Sequence, residues 1–151
     1  MISIDILNLT KQRVSLKKLK AVAEFSANYL KLKGEISVVL GGDKRLKSLN
    51  NRFRGIEKST DVLTFLVAGE KKSLLGEIFI NLNDCRRPRK YREVFSFSPS
   101  YDYLLYFLLI HGLLHLAGYN DEVEKERLAI IALGEKIMKL LQKNDIIKTT
   151  V

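Results

Sequence analysis

The first pattern along the chain is alternation. Ile2 to Leu9 places apolar side chains at 2, 4, 6, 7 and 9, and the period of two over its first half predicts a half-buried strand. The period then lengthens. Leu16, Leu19, Val22, Ala23, Phe25, Ser26, Tyr29 and Leu30 keep helical spacing, which predicts a helix capped by Ser15, running to about Leu32 and stopped by Gly34. Ile36 to Leu40 reads as a short strand ended by Gly41-Gly42. Asp43 is expected to cap a basic helix carrying Leu46, Leu49, Asn50 and Phe53. Two more strands follow, Thr60 to Val67 and Gly76 to Leu82, joined by a turn around Lys71-Lys72-Ser73. Ser98-Pro99 reads as a helix start, with proline at the first helical position and Asp102 on the positive end of the dipole. That helix should end at Gly118. A last amphipathic helix covers about Glu122 to Gln142, with Leu128, Ile131, Leu133, Ile137, Leu140 and Leu141 on its core face.

Strand, helix, strand, helix, two strands and then helices is the order of an α+β fold: a small mixed sheet of about four strands packed with about five helices. No repeat, low-complexity block or linker divides the chain, so residues 1–151 read as a single domain. At 151 residues, roughly 68–70% of the unfolded surface can be buried, and no disulfide or metal staple is required. Hydrophobic residues at 46% and charged residues at 28% exclude wholesale disorder. The single cysteine, Cys85, excludes an intramolecular disulfide and fits a reducing compartment. Asp5 interrupts the only apolar stretch at the N-terminus and no basic region precedes it, so no secretory signal is visible. A cytoplasmic protein is the expectation.

Tyr103 to Tyr119 is 17 residues without a charge, at the short end of a membrane span. Its second half, however, holds two histidines and a glycine. The strands and amphipathic helices also need a central apolar element to pack on, and a helix hydrophobic all round is often that buried centre. The buried-centre reading is preferred.

His111 and His115, the only histidines in the chain, lie four residues apart on this helix and therefore one turn apart on one face. Gly118 allows the backbone to leave the helix in a left-handed conformation, and Asp121 follows three residues later. The run H-x-x-x-H-x-x-G-x-x-D describes two ligands from a helix and a third from the turn after it, with an open coordination position. The alternative is two core imidazoles bonded to backbone, with Asp121 capping the last helix. The glycine and the carboxylate at these offsets favour the metal. Metzincin proteases share the spacing, but their first histidine precedes a catalytic glutamate. Here that place is Gly112, so the metal geometry is present without the protease base.

His111-Gly112-Leu113-Leu114-His115-Leu116-Ala117-Gly118-Tyr119-Asn120-Asp121 resembles the H-G-x-L-H-L-x-G-Y-D-H signature of the YbeY family, metal-dependent endoribonucleases of bacterial rRNA maturation. Leu49-Asn50-Asn51-Arg52-Phe53-Arg54-Gly55, then Ser59-Thr60-Asp61-Val62-Leu63-Thr64-Phe65, resembles the family's L-N-x-x-x-R-G and T-D-V-L-S-F. Gly76-Glu77-Ile78-Phe79-Ile80 resembles its G-D-I-x-I strand. The resemblance implies a single-strand-directed endoribonuclease acting in rRNA maturation and ribosome quality control, with rRNA or the small ribosomal subunit as partner. It implies one divalent metal ion, zinc foremost, on His111, His115 and Asp121, with both histidines also in the catalytic set. It places Arg54 in the cleft near the metal helix, where it could hold the scissile phosphate; an ordinary helix-terminal arginine is the other reading. Several positions depart from the pattern, among them Asn120, which stands where the family has an aspartate. Asp121 stands where the family has a third histidine, which lowers the formal charge of a divalent site from +2 to +1 and suits iron or manganese better than three histidines do. Thr64 stands for a serine and keeps its hydroxyl. A ribosome-assembly or RNA-binding factor with a structural or weakly catalytic metal, and a metallohydrolase of a smaller substrate, are the rival functions.

Charge adds the substrate class. Lys and Arg number 26 against 17 Asp and Glu, a formal charge of +9, which raises the expectation of a polyanionic partner. Arg86, Arg87, Arg89, Lys90 and Arg92 concentrate positive charge within a few residues and are candidate RNA-phosphate contacts, with Tyr91 among them as a base-stacking candidate. A solvated basic surface is the plainer alternative.

Overall fold

The computed structural model describes residues 2–67 and 74–148. Its strands are β1 (Ile2–Asn8), β2 (Gly34–Gly41), β3 (Val62–Leu66) and β4 (Leu74–Asn81). Its helices are α1 (Leu16–Tyr29), α2 (Asp43–Arg54), α3 (Tyr101–Leu116) and α4 (Glu124–Lys143), with two short 3-10 turns at Asp84–Arg86 and Pro88–Tyr91. The class is the expected α+β, with four α-helices rather than about five. The expected turn at Lys71-Lys72-Ser73 lies outside the described residues.

The strands form one mixed sheet in the order β1-β2-β4-β3. The pairs β1–β2 and β2–β4 are parallel, and β3 runs antiparallel to β4 at the edge. The register puts Ile6, Val38, Ile78 and Thr64 in one row, and the period of two sends their sequence neighbours to the other face. Ile4, Ile36, Val38, Leu40, Ile78 and Ile80 are buried in the main core with α1, α3 and α4. The opposite face carries α2, where Leu46 and Leu63 are buried outside that cluster.

Helix α3 is buried on nearly every side because it lies between sheet, α1 and α4. Leu104, Leu109, Ile110, Leu113 and Leu114 have no exposed surface; burying such a side chain is worth about 1.5–3 kcal/mol. Among the described residues no helix is long and apolar enough to cross a membrane. The helix sits tightly on β4 because residue 112 is glycine: a Cβ there would come within 2.7 Å of Ile78 Cγ2.

Several element ends differ from expectation. Helix α1 stops at Tyr29, because Lys31 takes the left-handed conformation (φ 59°) and lets Leu32 N–H donate to Ala27 O while Lys31 N–H donates to Asn28 O. Leu32 then packs on the core, and Gly34 opens β2. Gly42, not Asp43, is the N-cap of α2; the Asp43 carboxylate is taken by Arg87 and Asn81. The start of α3 shifts past Ser98-Pro99 to Ser100, whose Oγ accepts from Tyr103 N–H at 3.1 Å. On α4 the buried residues are Ile130, Gly134, Ile137, Met138 and Leu141, whereas Leu128 is exposed.

Candidate metal centre

His111 and His115 stand one turn apart on α3, at the end of the helix beside β3. Past Leu116 the chain reverses through a left-handed turn: Gly118 (φ 100°) donates its N–H to His115 O, and Tyr119 donates to Leu114 O. This reversal returns Asp121 to the histidines. Asp121 Oδ2 lies 3.3 Å from His111 Nε2 and 3.4 Å from His115 Nε2, and the two Nε2 atoms are 3.1 Å apart. Three donors arranged tetrahedrally around an ion about 2.0–2.1 Å away would stand roughly 3.3–3.4 Å from one another. The group can therefore hold a metal with almost no movement.

Among the described residues neither imidazole bonds to backbone, which removes the reading of two satisfied core histidines. Asp121 does not cap α4 either, since the N-cap is Val123 and no side chain serves it. His111 is held below the usual histidine pKa, first by burial and then by His115, against the pull of Asp121. Its neutral form is favoured, which leaves a lone pair for a cation.

The three donors line a cleft of about 360 Å³ together with Arg54, Thr60, Asp61 and the edge strand β3. Arg54 is the last residue of α2, turned off by Gly55 in the left-handed conformation (φ 70°). Thr64 Oγ1 is buried in the cleft wall and takes no hydrogen bond among the described residues. Asp61 is fixed at two points: its Oδ2 accepts from the Tyr91 hydroxyl at 2.9 Å, and its carbonyl accepts from Asn81 N–H at 2.8 Å. Tyr91 is thus no base-stacking surface. It is 6% exposed and packs by Phe95, and burial followed by the charge of Asp61 pushes its hydroxyl well above the usual range, so it stays a donor.

Asn81 was not singled out by the sequence, although an amide at the end of an apolar strand is a faint signal of it. Fully buried, its Nδ2 donates to Asp43 Oδ1 (2.7 Å), Ser59 Oγ (3.0 Å) and Thr60 O (3.2 Å). One side chain thereby joins β4, the start of α2 and the loop that carries Asp61.

The basic cluster divides. Arg87 pairs with both oxygens of Asp43 (2.6 and 3.0 Å) and with the buried Asp84 (2.9 Å), and Lys90 also holds Asp84 (2.8 Å). Arg87 ties the 3-10 turns to α2, and Lys90 ties the second turn to the first. Arg86, Arg89 and Arg92 are exposed and form no ion pair among the described residues. Cys85 is buried among them and its thiol is pushed up to about 12, chiefly by burial, so it is unreactive.

The chain has relatives along most of its length. The family model described as endoribonuclease YbeY matches residues 5–142. Among curated proteins, the endoribonuclease YbeY of Endomicrobium trichonymphae is 31% identical over 138 residues, 91% of this chain and 92% of that one. That of Desulforamulus reducens is 34% identical over 118 residues, 73% of this chain and 74% of that one. Among solved structures, the solution structure of TM1509 from Thermotoga maritima aligns with a TM-score of 0.57 and 28% identity, covering 97% of this chain and 95% of that one. The match runs from β1 to α4 and takes in the histidine helix, the turn after it and the Arg54 loop, so this chain belongs to the endoribonuclease YbeY family.

Proposed function

We propose that this chain is a metal-dependent, single-strand-directed endoribonuclease acting in rRNA maturation and ribosome quality control in the cytoplasm, with rRNA or the small ribosomal subunit as its partner. Family membership supports the endoribonuclease activity. The observation that carries the metal dependence is the donor triangle of His111, His115 and Asp121 in an open cleft shared with Arg54. Structural zinc sites are closed by four protein ligands, whereas catalytic ones use three and leave a position free. Three donors converge here among the described residues, which supports catalysis over a structural metal. Zinc is the foremost ion, and the carboxylate also admits iron or manganese.

When bound, the ion supplies Lewis-acid chemistry toward the phosphodiester. Arg54 would hold a non-bridging pair of phosphate oxygens through its guanidinium and stabilise charge that develops there. Tyr91 and Asn81 would keep Asp61 fixed as the strand arrives, so the cleft wall need not reorganise. A single-stranded RNA cleavage assay with and without chelator tests the reading. Chelation is expected to abolish cleavage and readdition of zinc or manganese to restore it; undiminished cleavage in chelator would overturn metal dependence. Arg54→Ala is expected to lower kcat by about 10²–10³ while leaving metal content unchanged.

The Arg86–Arg92 segment would supply phosphate contacts, and its ion pairs assign the work unevenly. Reversing Arg86, Arg89 and Arg92 to glutamate is expected to flatten the salt dependence of RNA binding by about one unit of slope per lost contact. Reversing Arg87 should instead lower the melting temperature, because Asp43 loses its cation, Asp84 keeps only Lys90, and a glutamate in that place repels both carboxylates. A salt slope unaltered by the triple reversal would reduce the cluster to ordinary surface.

A further inference from the structure

With Tyr91 buried, the expected stacking surface is missing from the basic cluster, yet an exposed aromatic stands on the other side of the cleft. Phe53, next to Arg54 on α2, is 56% exposed. Its ring is not loose: it lies 5.1 Å from the ring of Phe65, a residue that lines the metal cleft, and Phe65 in turn meets Phe79 at 5.8 Å. The Arg52 guanidinium carbon stands 5.2 Å from the Phe53 centroid. Ile56, two residues past Arg54, is also exposed, at 46%. A firmly backed aromatic flanked by two arginines and continuous with a cleft is the arrangement that single-stranded nucleic acid uses, with bases on the ring and phosphates on the cations.

We propose that Phe53, flanked by Arg52 and Arg54, is the platform on which a base of single-stranded RNA stacks as the strand crosses the edge of β3 into the metal cleft. This rests on the endoribonuclease reading and assigns its single-strand preference to one residue. In a duplex the bases are already stacked on each other and cannot reach the ring, so only an unpaired strand gains the contact. The charge complementarity of the flanking arginines favours RNA over a protein partner or a second copy of this chain.

The test measures binding of oligoadenylate and of a blunt RNA duplex by the full chain in chelator, with cleavage assayed separately in metal. Phe53→Ala is expected to weaken oligoadenylate binding by roughly 5- to 150-fold, the usual worth of one stacked base, and to leave duplex binding unchanged. Phe53→Tyr should match wild type. Phe53→Leu keeps the apolar contact with Phe65 but lacks an aromatic face, and should behave as the alanine variant does. The platform is overturned if Phe53→Leu binds as wild type does, if both RNAs weaken equally, or if Phe53→Ala changes only the sedimentation mass. Wild type that cuts RNA while Phe53→Ala binds and cuts equally well would sink the platform alone. Wild type that neither binds nor cuts single-stranded RNA would sink the endoribonuclease reading with it.

Discussion

Protein expressed in metal-supplemented medium is expected to carry about one divalent transition-metal ion per chain, and His111→Ala and His115→Ala should each empty the site. The three donor atoms already stand 3.1, 3.3 and 3.4 Å apart, so binding needs almost no rearrangement, and each donor is a third of the set. Losing a residue that only orients a metal ligand costs about 10- to 100-fold in affinity; losing a ligand itself should exceed about 100-fold. Asp121→Asn tests the third corner, because a neutral amide oxygen replaces an anionic donor of the same shape. Were Asp121 a helix cap, that change would be nearly silent, since asparagine caps as well as aspartate. Asp121→His restores the family's ligand set; it should retain metal, raise the formal charge of a divalent site from +1 to +2 and speed cleavage. Elemental analysis and metal titration of these variants give the answer. Unchanged metal content in both histidine variants would remove the site.

Gly112→Ala is expected to cost about 1–3 kcal/mol through overpacking, although it adds only one carbon. The new Cβ would stand 2.7, 3.1 and 3.2 Å from Ile78 Cγ2, Cδ1 and Cγ1. Ile78 is completely buried and cannot swing into solvent, so α3 must lift from β4 and carry the histidines away from the edge of β3. At this chain length each kcal/mol lowers Tm by about 2–4 °C. Ile78→Ala removes all three obstructing atoms, so the double variant should be more stable than the sum of the single effects. Gly112→Glu, the residue that the protease pattern would place there, should fail to fold rather than create a peptidase. Thermal melts of wild type and these variants check this, and a Gly112→Ala melting temperature equal to wild type would show that the helix has room.

What the sequence could determine by itself was local. Strand alternation, helical spacing and the H-x-x-x-H-x-x-G-x-x-D run involve residues within a turn or two of each other. Backbone geometry therefore places His111, His115 and Asp121 together almost regardless of the rest of the fold, because four residues make one helical turn and Gly118 makes the reversal. The mixed sheet was legible as a class but not in its strand directions: α1 joins the parallel pair β1 and β2, whereas α2 leads into the antiparallel edge strand β3, and β4 is the strand that pairs with β2 in parallel. The termini were less legible. Lys31 rather than Gly34 ends α1 because Leu32 gains core packing, and that gain depends on elements not yet assembled.

Tertiary structure alone decided which polar and aromatic side chains face the cleft. Tyr91 turns inward to Asp61, 30 positions away, and Arg87 reaches Asp43, 44 positions away, so a run that reads as uniformly basic surface splits into braces and exposed cations. Asn81 finds Asp43 and Ser59 only when β4 lies beneath the start of α2. Phe53 has the spacing of a core residue on a helical wheel, yet at the end of α2 its ring stays more than half exposed against Phe65 of the edge strand. Periodicity records which side of an element is apolar; whether that side finds something to cover it depends on contacts between residues far apart in the chain.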